Sequence, residues 1–133
     1  MTPRGIRNNN PGNIRKSNTP WIGKTGDDGV FEVFDTPEHG IRALCKIVIT
    51  YAKKYYLPNI QAIINRWAPP TENDTGSYVN AVCEQCGVQP TESIDVTLKS
   101  NMFNIAVGII KHENGEQPYS PMTIMDGVKM ANE

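Results

Sequence analysis

Residues 98–115 read LKSNMFNIAVGIIKHENG, and this stretch decides the fold. Leu98, Met102, Ile105, Ala106, Ile109 and Ile110 recur at the spacing of one helical face. Gly115 supplies the left-handed residue at which such a helix stops. A helix from Leu98 to His112 is therefore predicted. It is the most apolar of the chain, and the other elements are expected to pack around it. At its end stands Glu113, where two effects meet. Partial burial desolvates the carboxylate, and the carbonyl end of the helix dipole disfavours its anion. Both effects are expected to raise its pKa, as a general acid needs at neutral pH. A solvated Glu at a helix end is the commoner meaning of the same residue.

Moving outward, Thr36-Pro37-Glu38 marks a helix start, with a capping hydroxyl, a Pro in the first turn and an acid at the positive end. Ile41, Leu44, Cys45, Val48 and Ala52 share one stripe of a helix running to about Tyr56. Pro58 ends it. A short helix from about Asn59 to Trp67 places Ile60, Ile63, Ile64 and Trp67 in register, and Ala68-Pro69-Pro70 breaks it. Asp74 or Thr75 caps a helix to about Gln85, with Gly87 as its stop. Residues 88–97 read as mixed loop, and Ser120-Pro121 opens a last short helix to about Met130. Near the start, Trp21-Ile22 and Val30 to Phe34 read as short strands joined through Asp28-Gly29. Residues 1–20 read as loop, with an asparagine-rich run from Asn8 to Asn13. The expectation is one mainly α domain over 1–133, compact and helical, with a small β-hairpin near the N-terminus.

Composition bounds the function. A chain of 133 residues is long enough to bury a core without disulfide or metal. Apolar residues make up 38% and charged residues 20%, as in globular proteins. A net charge of −1 offers no bulk attraction to nucleic acid. The first 20 residues nonetheless hold Arg4, Arg7, Arg15 and Lys16 and no acid. That asymmetry suits one anionic polymer surface, a cell wall as well as DNA. No apolar run is long enough for a membrane span, and MTPRGIRNNN lacks the apolar core of a signal peptide. The expectation is synthesis in the host cytoplasm and delivery to the wall by a virion, a pore or a secretion machine. Cys45, Cys83 and Cys86 are odd in number, which argues against a disulfide framework. Cys83 and Cys86 form a CxxC, but a zinc site needs a second ligand pair, and His39 and His112 stand alone. Buried free thiols are expected, with no metal and no cofactor.

Other polar residues carry two readings each. Pro11-Gly12-Asn13 is a plain turn, or it presents amides to sugar hydroxyls and N-acetyl groups. Trp67 and Tyr78 are core aromatics, or they stack on sugar rings. Glu38 is expected to serve its helix as a cap. Glu72 and Asp74 are expected to cap a loop, with Glu72 kept as a candidate second carboxylate. Glu32, on the hairpin, is the other candidate.

The segment Arg4-Gly5-Ile6-Arg7-Asn8-Asn9-Asn10-Pro11-Gly12-Asn13-Ile14-Arg15, with Trp21 and Gly23, resembles the opening of a family of phage and prophage virion-associated lysozyme-like proteins. So do Arg66-Trp67-Ala68-Pro69-Pro70-Thr71-Glu72-Asn73-Asp74-Thr75 with Tyr78, and His112-Glu113-Asn114-Gly115. The likeness covers nearly the whole chain. A more distant resemblance is to soluble lytic transglycosylases and goose-type lysozymes, which place a catalytic Glu at the end of a buried helix. Here the same parts stand in rotated order. Asn10 to Ile14 is similar to the substrate loop, and Pro37 to Leu44 to the helix after it. Arg66 to Pro69 stands for the Ala-Gly-Pro loop, and Asp74 to Val79 for the Tyr-Val segment. The Glu-bearing helix then comes last. This implies a circularly permuted, lysozyme-like α+β fold. Glu-Ser and a true Tyr-Asn-Ala-Gly-Pro loop are absent.

The resemblance implies an enzyme that cleaves the β-1,4 glycan of peptidoglycan, with Glu113 as catalytic acid and Asn10, Asn13, Ile14, Trp67 and Tyr78 against substrate. A lytic transglycosylase needs no second carboxylate, since the same Glu returns as base and closes a 1,6-anhydro ring; an inverting hydrolase needs a second one. The implied partners are glycan strands and other virion or lysis proteins, not nucleic acid or membrane. The rival expectation is a non-catalytic virion or wall-binding protein on the same fold.

Overall fold

Four helices begin where a short polar side chain accepts a backbone N–H. In the computed structural model, which describes residues 2–133, Thr36 accepts from His39, Asn59 from Ala62, Asp74 from Ser77 and Ser120 from Thr123. The elements in order are α1 (Arg4–Arg7), β1 (Lys24–Asp27), β2 (Glu32–Phe34), α2 (Pro37–Lys54), α3 (Ile60–Trp67), α4 (Thr75–Cys86), α5 (Lys99–Asn114) and α6 (Pro121–Ala131). The described chain is thus mainly helical, with one antiparallel hairpin. Gly87 and Gly115 end α4 and α5 with left-handed backbone, at φ 69° and 72°.

α5 lies at the centre of the core. Met102, Ile105, Ala106, Ile109 and Ile110 are fully buried with Ile41, Leu44 and Val48 of α2, Ile60, Ile63 and Ile64 of α3, Val82 of α4 and Val128 of α6. Each such aliphatic side chain contributes on the order of 1.5–3 kcal/mol by leaving water. Leu98 departs from the expected face. It sits before the first helical residue and stays 53% exposed. The helices pack closely at small residues: a Cβ on Gly127 of α6 would lie 2.6 Å from Ile41 of α2.

Two local readings are corrected. Residues 1–20 are not all loop, because α1 forms a short helix closed by Arg7 N–H to the Pro3 carbonyl at 3.0 Å and Asn8 N–H to the Arg4 carbonyl at 3.1 Å. The first strand begins at Lys24 rather than Trp21. The chain turns at Gly23, whose φ of 83° is left-handed, and Lys24 N–H closes on the Trp21 carbonyl at 3.1 Å. Trp21 instead packs on a second small cluster of Ile14, Phe34 and Ala43. The second strand likewise starts at Glu32, leaving Val30 40% exposed. The Asp28-Gly29 turn stands as expected. Asp28 Oδ1 accepts from Val30 N–H at 3.0 Å and from Phe31 N–H at 2.8 Å.

Candidate active site

The asparagine run is a folded knot rather than a free loop. Asn9 and Asn13 adopt left-handed backbone at φ 51° and 52°, which Asn tolerates better than most residues. The Asn9 amide donates to the Phe34 carbonyl at 3.1 Å, tying the run to the hairpin. α2 passes so close that a Cβ on Gly40 would overlap the Asn9 carbonyl oxygen. Asn10 is completely buried. Its amide donates to the Ile14 and Glu32 carbonyls at 2.9 and 3.0 Å, and its carbonyl accepts from Ile14 N–H at 3.0 Å. The expectation that Asn10 meets substrate is therefore corrected. Buried with its amide committed to backbone, it shapes the loop.

The knot is fastened to the end of α5. Asn114 donates to the Pro11 carbonyl at 2.8 Å and to the Ile110 carbonyl of its own helix at 2.8 Å. α1 approaches so tightly that a Cβ on Gly5 would lie 2.7 Å from both Asn13 Oδ1 and Asn114 Oδ1. Glu113 is thereby brought beside the loop. Asn13 Nδ2 donates to Glu113 Oε1 at 2.9 Å, and Tyr78 O–H from α4 donates to Oε2 at 2.7 Å. Each carboxyl oxygen has two acceptor directions, so each keeps one free.

Tyr78 is 1% exposed, with its ring stacked 3.9 Å from His112. Burial first, then the adjacent Glu113 charge and hydrogen bond, push its phenol well above the ordinary range. It stays protonated and remains a donor. The expectation that Tyr78 touches sugar is corrected, since it holds Glu113 from behind.

A groove of about 360 Å³ opens in front of the carboxyl. Glu113, Asn13, Ile14, Trp67 and Glu72 all line it, together with Arg15, Phe31, Tyr51 and Asn73. Trp67 is half-buried, and Ile14 is 8% exposed. Glu72 stands at the rim, 3.7 Å from Arg15, with both side chains well exposed. Such a pair is worth roughly 0–1 kcal/mol and parts easily. Glu32 is not in the groove. Its side chain has no exposure and is paired with Lys24 Nζ at 2.9 Å, while neither oxygen accepts a well-aligned hydrogen bond. As a second carboxylate for the groove it is corrected, because buried and ion-paired it cannot reach a bound sugar.

Sequence reading singled out neither Phe31 nor Tyr51, and it quoted Gly5, Arg15 and Asn114 in the family-like motifs without assigning Gly5 to the close approach of α1, Arg15 to the groove wall or Asn114 to the clamp. Only Asn114 left a local signal, an amide one residue from the terminal Gly of a helix. Among the thiols, Cys45 is buried and desolvation pushes it up to about 12. Cys86, half-buried, is pushed up to about 11, first by burial and then by Cys83. Neither is poised as a nucleophile. No helix among the described residues is long and apolar enough to cross a membrane.

No protein-family model matches the chain. Over 130 residues it is 42% identical to Protein P5 of Pseudoalteromonas phage PM2, an alignment spanning 93% of this chain and 79% of that protein. Identity at that level over nearly the full length preserves a fold, and the chain belongs to the family of this phage protein.

Proposed function

We propose that the groove binds the β-1,4 glycan of peptidoglycan and that Glu113 protonates the leaving glycosidic oxygen. One observation carries this: a partly exposed carboxyl, held by one donor on each oxygen, faces a groove rather than an ion-pair partner. Its orientation is set in advance, so proton transfer needs little reorganisation. Trp67 lines the groove, where an aromatic ring suits packing on a sugar. Arg15 pairs with Glu72 and Lys111 lines another pocket, so among the described residues no cation pairs with Glu113.

In the transglycosylase course, Glu113 gives its proton to the leaving oxygen. As carboxylate it then removes the proton of the muramoyl 6-hydroxyl, whose oxygen closes on the anomeric carbon as a 1,6-anhydro ring. No water is consumed and no second carboxylate is needed. Glu72 is the one sequence-predicted second carboxylate that lines the groove. In an inverting hydrolysis it would activate water. Its high exposure at the rim favours the transglycosylase course. The order of the parts supports a circularly permuted lysozyme-like fold, carried to the wall in a virion.

The alternative is a phage structural protein in which Glu113 serves as a joint. It is favoured by the phage relative and by the engagement of both carboxyl oxygens within the protein. Mass spectrometry of products released from purified sacculi separates these. Anhydro ends are expected; reducing ends mean hydrolysis, and absence of product means the structural role.

A further inference from the structure

Beyond the acid and the loop, the groove is lined by Tyr51, and Tyr51 is one wall of a cationic cluster. The Arg66 guanidinium lies 3.7 Å from the Tyr55 ring centroid and 5.2 Å from that of Tyr51. Lys54 Nζ lies 5.5 Å from the same Tyr55 ring. Two cations thus share one aromatic ring. Among the described residues neither has a carboxylate within 4.0 Å, whereas Arg15, at the same groove, is paired with Glu72. Arg66 is exposed, and its neighbour Trp67 lines the groove. The two rings hold the planar fork in place, and with one donor shared with the Tyr51 hydroxyl it keeps further donors for a carboxylate. An anion there also relieves the crowding of two like charges.

We propose that Arg66, held by Tyr51 and Tyr55 and next in the chain to the groove residue Trp67, is the subsite for a carboxylate carried by the glycan. It would select wall glycan, whose muramoyl sugars bear acids, over uncharged chitin. This rests on the groove being a glycan site. The carboxylate has two sources: the lactyl group of a peptide-stripped strand, or the stem peptide of an intact one.

Calorimetry on the full chain with three soluble tetrasaccharides tests it: chitotetraose, a peptide-stripped wall glycan and a peptide-bearing wall glycan. At least one wall glycan is expected to bind about tenfold or more tightly than chitotetraose, the scale of a charged hydrogen bond. Which one binds tighter names the source. Arg66→Gln is expected to erase that advantage, and Arg66→Lys to restore only part of it, since a point charge lacks the fork. Equal binding of all three by the wild type, or an advantage that survives Arg66→Gln, overturns the subsite while leaving the groove a glycan site. No binding of any of them removes the glycan site and the subsite together.

Discussion

The side-chain amide of Asn13 donates to the carboxylate of Glu113 at 2.9 Å although 100 residues separate them in the chain. The loop and the end of α5 therefore form one wall of one groove. The proposed chemistry needs an acid and a sugar-holding loop within a single hydrogen-bond length, and the two candidates for those roles lie that close.

Glu113→Gln removes the proton donor and keeps the shape. Wall lysis, followed as loss of turbidity of sacculi, is expected to fall by about 10²–10⁴-fold with the melting temperature little changed. A variant that keeps more than about a tenth of the activity would exclude Glu113 as the acid.

Tyr78→Phe removes only a hydroxyl, the donor to Glu113 Oε2. A hydrogen bond to a charged group is worth about 1.5–3 kcal/mol, and a loss of that size is expected in denaturant unfolding. The pH profile of lysis is expected to move as well, because a group facing Glu113 has changed. An unmoved profile would show that Tyr78 supports the fold alone.

The two asparagines of the loop are expected to separate cleanly. Asn10→Ala removes three buried hydrogen bonds to backbone, although the Ile14 carbonyl keeps a second partner in the Glu32 N–H. It is expected to cost about 3 kcal/mol or more, at roughly 1 kcal/mol or more for each. Asn13→Ala loses one partly buried bond and is expected to cost less stability but more activity. Parallel melting and lysis assays read both; the reverse ordering would contradict their placement.

Gly40→Ala puts a Cβ into the Asn9 carbonyl. Overpacking of this kind costs about 1–3 kcal/mol or more. Gly76→Ala, in the first turn of α4, meets only Asp74 Oδ1 at 3.9 Å and is expected to stabilise by about 0.4–1 kcal/mol. Thermal unfolding of the pair checks the contrast, and similar melting temperatures would contradict the close approach of α2 to the loop.

Acid should loosen the hairpin turn only at low pH. Arg4 at 2.6 Å, then the Phe31 N–H and the Asn8 amide, hold the Asp28 carboxyl well below the ordinary carboxylate range. A folded-state value depressed below the unfolded one means stabilisation present above the unfolded value of about 3.9, and lost as pH falls from there through the folded value. Amide resonances of Val30 and Phe31, titrated from about pH 6 downward, are expected to hold steady until below about pH 4. In Asp28→Asn the turn should already be loose at neutral pH, with no acid transition left. A midpoint at the ordinary value in the wild type would contradict the Arg4 tether.

The helices were legible from residue order because their signals are local. Apolar spacing placed the buried faces of α2, α3 and α5, and Thr36, Asn59, Asp74 and Ser120 announced the starts. The hairpin turn was legible from Asp28-Gly29, but its first strand was not, because Gly23 turns the chain where it packs against His39 and Asp35. Burial of polar residues was beyond local pattern. Asn10, Glu32 and Tyr78 have the chemistry of site residues, yet what packs over them takes all three from direct reach of a bound sugar. Arg66 reads as an ordinary helix-end charge until Tyr51 of α2 and Tyr55 just past its end close on it. Residue order thus determined the elements and named Glu113. Tertiary structure alone joined Glu113 to Asn13 and Tyr78, because those contacts cross 100 and 35 residues and depend on how whole helices pack.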